Sequence, residues 1–205
     1  MNYTIISYYT LNTPYVEVAH KYLMSSLKLL KEIKSDINGV HNLGTWQKNT
    51  SFKPTFILKM LEKYQDNVVF VDCDATINEY PSLFENIPEE YSFACYILDR
   101  NLHYGKSFSD DYKYELLTGT LFIRNNEKSK EIVRKWVHEC SQSKMWEQKI
   151  LQKILKEYKE EVYQLPLSYC YLFSLPNGLE PIIKCEKPVV THHQVSRLLK
   201  REVSG

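Results

Sequence analysis

An unbroken apolar run, Val68-Val69-Phe70-Val71, stops abruptly at Asp72-Cys73-Asp74. A run this short with no polar interruption predicts a strand buried on both faces. Upstream, Thr4-Ile5-Ile6-Ser7-Tyr8-Tyr9 is rich in strand formers and precedes the turn-like Asn12-Thr13-Pro14, which predicts an opening strand. Between the two lie two helical patterns. Across Tyr15 to Lys34, apolar residues recur at Val18, Tyr22, Leu23, Leu27, Leu30 and Ile33, and Ile37-Asn38-Gly39 is expected to end that helix. A second helix is predicted from Lys53, with Pro54 tolerated in its first turn and Phe56, Ile57, Met60 and Leu61 on its inner face.

The alternation continues downstream. Tyr91 to Ile97 and Leu121 to Ile123 predict strands, Glu127 to Glu139 and Glu147 to Tyr158 amphipathic helices, and Val162 to Leu165 and Pro188 to Val190 short strands. Strands separated by helices imply an α/β chain, an αβα sandwich around a mostly parallel central sheet. The polar stretch Asn101 to Asp111 is expected to be a mobile loop near the site, a potential lid. With no repeat, linker or low-complexity tract, the 205 residues are expected to form one domain, 1–205.

Composition narrows the partners. The net charge of +1, from 26 basic and 25 acidic residues without long single-sign blocks, gives no field for nucleic acid or an anionic membrane. Any anion must be held locally. The five cysteines are scattered, without a Cys-x-x-Cys pair, which argues against a disulfide framework or a structural zinc and points to a reducing compartment. Met1-Asn2-Tyr3-Thr4-Ile5-Ile6 has neither a basic leader nor an apolar h-region, and no apolar run is long enough to span a bilayer, so a soluble cytoplasmic protein of the producing or infected cell is expected. Sixteen tyrosines beside six glycines suggest an AT-rich coding sequence, that of a low-GC microbe or a virus.

Chemistry begins where the buried strand ends. Asp72 and Asp74 stand two positions apart, and the period-two pleat is expected to aim both carboxylates to one side, within reach of one ion. Ligands in open α/β sheets bind outside the carboxyl ends of the strands, where this pair falls. Oxygen ligands suit Mg²⁺ or Mn²⁺, ions commonly bridged to substrate phosphates. The plainer alternative is a pair of aspartates capping the next turn. A second element, Val190-Thr191-His192-His193-Gln194-Val195-Ser196-Arg197, delivers two histidines, of which His192 is the favoured third ligand, and Arg197 to neutralise a phosphate.

The ordered set Lys53-Pro54-Thr55-Phe56-Ile57, Val69 to Asp74, Leu117-Thr118-Gly119-Thr120 to Asn125, Trp146-Glu147-Gln148 and Val190 to Arg197 resembles small GT-A glycosyltransferases over almost the whole chain. It is also similar to the small glycosyltransferase domains that large algal DNA viruses use on capsid glycans. The resemblance implies a GT-A-like, Rossmann-related sandwich that moves a sugar from a nucleotide-diphosphate donor, uridine diphosphate favoured and with retention, to a glycan or glycoprotein hydroxyl. It implies that Asp72 and Asp74 hold Mn²⁺ or Mg²⁺ on the diphosphate, with Asp72 also near the ribose and His192 as the distant ligand. Ser7-Tyr8-Tyr9-Thr10 would receive the nucleotide, Tyr8 or Tyr9 stacking on the base; Lys53 would face ribose or phosphate. Gly119 would let the backbone approach the donor sugar. Glu147, where related enzymes more often carry Asp, would serve as base or stabilise an oxocarbenium-like transition state, or else be a dipole-favoured start to its helix.

Two other classes compete. An apolar strand followed by Asp72-Cys73-Asp74-Ala75-Thr76 also fits the nucleophile motif of haloacid-dehalogenase-like phosphatases, although there it opens the fold, whereas here some seventy residues precede it. A catalytically inactive nucleotide-sugar- or glycan-binding domain would need the same fold without turnover.

Overall fold

The computed structural model describes residues 2–173 and 182–203. In chain order, β1 (Tyr3–Thr10) leads into α1 (Tyr15–Ala19), which passes through a π-helical turn (His20–Met24) into α2 (Ser25–Leu29). Next come β2 (Ser35–Val40), α3 (Trp46–Ser51), α4 (Lys53–Lys63), β3 (Asn67–Val71) and the short β4 (Ala75–Ile77). β5 (Phe93–Asp99) is followed by α5 (Arg100–Tyr104), α6 (Asp110–Lys113), β6 (Tyr114–Ile123), α7 (Glu127–Gln142) and α8 (Glu147–Glu157). The chain closes with β7 (Val162–Gln164), β8 (Tyr171–Leu172), β9 (Val190–His192) and α9 (Ser196–Val203).

The main sheet runs β2-β1-β3-β6-β5-β7, and the pairs β1/β2, β1/β3 and β5/β7 are parallel while β6 is antiparallel to both β3 and β5. β3 is the buried strand of the sequence pattern. Val68 and Phe70 enter a core shared with α4, α7 and α8 (Phe56, Trp136, Leu151), while Val69 and Val71 enter the opposite core with Leu23, Phe84 and Phe122. Alternating side chains serving two cores are what an unbroken apolar strand buys in burial on both faces.

A second sheet, β4-β9-β8, packs on the second of these cores. β4 and β9 pair antiparallel with Ala75 opposite His192, and the His193 N–H donates to the Asp74 carbonyl at 3.1 Å. This pairing carries the end of the chain to the end of β3.

Several expectations shift. The first helix stops at Leu29, where Leu30 leaves helical geometry at φ −102°, ψ 63°, well short of Lys34. Ile37-Asn38-Gly39 does not end a helix but lies in β2, paired with Ser7-Tyr8-Tyr9. A half-exposed, polar edge strand lacks the apolar alternation that marks a strand in sequence. β6 is longer than Leu121 to Ile123 and runs against its neighbours. The histidine strand sits two residues later than Pro188 to Val190, so His192 belongs to the strand itself. Asn101 to Asp111 contains most of α5 and the start of α6, with Asp99 capping α5 through the N–H groups of Asn101 and Leu102. Among the described residues, no helix is long and apolar enough to cross a membrane.

Candidate active site

At the carboxyl end of β3 the chain turns, and the Ala75 N–H donates to the Asp72 carbonyl at 3.0 Å. Asp72 and Asp74 therefore converge through a turn and not through the pleat that the sequence pattern predicted. One ligand atom each from Asp72, Asp74 and His192 lies within 4.8 Å of the others. Two carboxylates and a neutral imidazole are a donor set suited to Mn²⁺ or Mg²⁺.

Each member is held differently. Asp74 is buried and one of its carboxylate oxygens accepts the Val195 N–H at 2.8 Å. Burial and the neighbouring Asp72 push its pKa up to about 7, so a positive ion at this point relieves a real electrostatic cost. Asp72 is more open, and its Oδ1 accepts from Lys53 Nζ at 3.0 Å. His192 is buried at the end of β9, with Nε2 at 2.8 Å from the Thr120 hydroxyl. Burial, then Lys53 and His193, lower its pKa to about 3, which keeps the ring neutral. Nδ1 is thus the nitrogen left for a ligand. His193 turns away: its Nε2 meets the Thr76 hydroxyl at 2.9 Å and its ring stacks on Tyr22 at 4.0 Å.

Gly119 explains how three groups fit so close. A Cβ there would stand 2.8 Å from His192 Cε1, 3.0 Å from Nδ1 and 3.3 Å from Asp72 Oδ2. The space of its missing side chain is filled by two of the clustered groups. The Gly119 carbonyl also accepts the Asp72 N–H at 2.8 Å, tying β6 to the turn.

Lys53 is no solvated helix-start lysine. It is buried, and its ammonium bridges Asp72, Glu147 Oε1 at 3.5 Å, and the carbonyl and hydroxyl of Thr118, both at 3.2 Å. Burial alone would lower its pKa, but Asp72 and Glu147 outweigh it and the net shift is upward, so the ammonium stays charged. Glu147, the first residue of α8, is also buried and accepts the Thr118 hydroxyl at 3.2 Å. Its carbonyl accepts the Trp136 indole N–H at 2.8 Å, which fixes the start of the helix.

These groups line one cavity of about 500 Å³ together with Tyr8, Tyr9 and Thr10 at the end of β1 and Arg197 at the start of α9. Tyr8 is a core residue: its ring packs edge-on or tilted against Phe52, Phe56 and Phe70, and its hydroxyl donates to the Asn49 carbonyl at 2.7 Å. Of the two tyrosines, the half-buried Tyr9 is the one with a ring to offer. The Thr10 hydroxyl is engaged with Thr13 at 2.8 Å. Ser7 is fully buried and lies outside the cavity lining.

The sequence reading missed several lining residues. Thr118 and Thr120 flank the glycine it singled out, and their hydroxyls hold Glu147 and His192. Trp46, Tyr15, Cys170 and Arg100 also line the cavity and carried no signal beyond their residue type.

The model of the nucleotide-diphospho-sugar transferase family matches residues 19–197. No curated protein sequence matches the chain. Among solved structures, it is similar to a glycosyltransferase involved in glycosylating the major capsid of PBCV-1, with TM-score 0.64 and 14% identity over 98% of both chains. Mouse xyloside xylosyltransferase 1 matches with TM-score 0.61 and 11% identity over 96% of this chain and 99% of that one. The galactosyltransferase LgtC, solved with donor and acceptor sugar analogues, matches with TM-score 0.57 and 13% identity over 98% and 95%. At these identities the likeness establishes the shared GT-A fold.

Proposed function

Because this chain belongs to the nucleotide-diphospho-sugar transferase family, and is a glycosyltransferase by family and fold, we propose that it transfers sugar from a nucleotide-diphosphate donor through a divalent-ion site at Asp72, Asp74 and His192. The observation that carries the metal part is the meeting of these three ligands at the carboxyl end of the central strand. UDP is the favoured donor and Mn²⁺ or Mg²⁺ the favoured ion, with a glycan or glycoprotein hydroxyl as acceptor.

When bound, the ion supplies charge stabilisation for the departing nucleoside diphosphate. The chain's own groups do the rest. Lys53, charged and dry, holds Asp72 and Glu147 in fixed places and so orients the carboxylates before any substrate arrives. Glu147 has its Oε1 shared between Lys53 and Thr118, an arrangement that suits a fixed negative charge near the reacting carbon better than a proton-accepting base. Arg197, which lines the same cavity, is the proposed partner of the diphosphate. Tyr9 and Thr10 lie on the wall proposed for the nucleoside.

Against a haloacid-dehalogenase-like phosphatase with Asp72 as nucleophile stands the family match over residues 19–197, which is to sugar transferases. A thermal-shift screen of nucleotide sugars with and without Mn²⁺, followed by turnover with the donors that bind, tests the proposal. The expected result is a metal-dependent rise in melting temperature with a UDP-sugar. No shift with any donor would count against it.

A further inference from the structure

Two tryptophans stand at the mouth of the cavity. Trp46 opens α3 and Trp146 immediately precedes α8, and their rings meet edge to face, with centroids 5.9 Å apart and planes at 79°. Trp146 is 47% exposed, and Trp46 is half-buried. Both line the same cavity as the Asp72, Asp74 and His192 cluster.

Their setting is built. The Gln47 side-chain amide donates to the Lys144 carbonyl, joining the two segments that carry the indoles. Trp146 is the chain neighbour of Glu147, whose own carbonyl is anchored by the buried Trp136. The indoles therefore form a fixed corner one residue from the Lys53–Glu147 pair. An exposed indole face is costly to leave in water and is electron-rich, so it favours a partner with an apolar, slightly positive face. A pyranose ring has such a face, made of its axial C–H groups, while its hydroxyls stay at the rim for polar partners. Two planes near a right angle suit a ring seated on one wall with its substituent against the other; a bilayer or a flat protein surface calls for coplanar apolar groups.

We propose that the Trp46–Trp146 corner is the acceptor platform of this cavity, seating a pyranose of a saccharide acceptor with one hydroxyl turned toward Glu147. This rests on the transferase reading above and adds to it that the acceptor is a carbohydrate recognised by stacking.

The test reads binding separately from turnover. Saturation-transfer NMR with methyl β-D-galactopyranoside, methyl β-D-glucopyranoside and methyl β-D-xylopyranoside is run on the full chain, on Trp146→Ala, on Trp146→Phe and on Trp46→Ala, each checked for an unchanged melting profile. At least one glycoside is expected to bind through its C–H face, to lose tenfold or more in affinity in Trp146→Ala, and to recover most of it in Trp146→Phe. In transfer assays the same substitutions should raise the acceptor KM by tenfold or more with a smaller change in kcat. Equal glycoside binding by wild type and Trp146→Ala would overturn the proposal, as would a loss in Trp146→Ala confined to nucleotide binding, which would move the corner to the donor. Glycoside binding that depends on Trp146 in a protein that turns over no nucleotide sugar would uphold the platform and sink the transferase reading alone.

Discussion

Gly119 and His192 share one volume: the imidazole occupies the place where any side chain at position 119 would begin, with Cε1 2.8 Å from a Cβ built there. Both are backbone-fixed, one in β6 and the other in β9, so neither can retreat cheaply. Gly119→Ala is therefore expected to displace the ring, with an overpacking cost of about 1–3 kcal/mol. Calorimetry of Mn²⁺ with UDP present should show affinity reduced by tenfold or more, while circular dichroism keeps the wild-type signature. Unchanged metal affinity would mean that the ring is not a ligand.

Thr120 fixes that same ring from behind. Thr120→Val keeps the shape but removes the hydroxyl that holds Nε2, leaving the ring free to present the wrong nitrogen. Metal affinity is expected to fall by roughly 10–100-fold, the usual range for a group that orients a liganding histidine. The same calorimetry, run beside Thr120→Ser, checks it; the serine should restore most of the loss.

Asp74 makes the metal-free protein sensitive to pH in a definite direction. Its native pKa of about 7 stands above the unfolded value of 3.8, so between these values the native state holds a proton that the unfolded state has lost. This group's contribution to stability is then fully present below about pH 4 and is lost as pH rises toward 7. Asp74→Asn removes this dependence and still accepts the Val195 N–H. In EDTA at pH 8 the variant should melt above wild type, by roughly 2–4 °C for each kcal/mol relieved. Mn²⁺ should stabilise wild type and not the variant, and wild-type metal affinity should fall by about tenfold per pH unit below 7, as a proton competes for the ligand.

Lys53 and Glu147 form a pair whose halves are worth more together. Lys53→Met alone leaves the buried Glu147 carboxylate without its cation, at a cost of about 3–5 kcal/mol, the size measured when one member of a buried pair is removed, whereas Glu147→Leu costs less because Lys53 keeps Asp72 at 3.0 Å. The double variant is expected to regain much of that stability in urea denaturation yet to show no transfer, because both groups face the cavity. Additive destabilisation in the double variant would show that the two do not interact.

What the sequence showed and what it hid follow one physical line. β3 could be read because burial on both faces demands an unbroken apolar run, and the place of Asp72 and Asp74 because that run stops on charge; that they meet through a turn and not along the pleat could not. His192 was visible as a residue type at the end of a strand-like segment. β2 was hidden because an edge strand held by backbone pairing to β1 needs no particular side chains. The antiparallel direction of β6 was equally invisible, since strand direction is set by tertiary pairing. Lys53 looked like any helix-start lysine; only the fold supplies the two carboxylates that keep it charged in a dry place. Thr120 and the two mouth tryptophans gain their meaning from partners distant in sequence.

The pairing of β4 with β9 has a consequence in time. It joins segments such as Thr76 and His193, which are 117 residues apart, so closing this clasp is among the most entropically demanding steps available to the chain. During synthesis, a ribosome-tethered chain lacking β9 has both aspartates in hand but no histidine to complete the trio. The Asp72, Asp74 and His192 cluster therefore stays incomplete until β9 has emerged and docked.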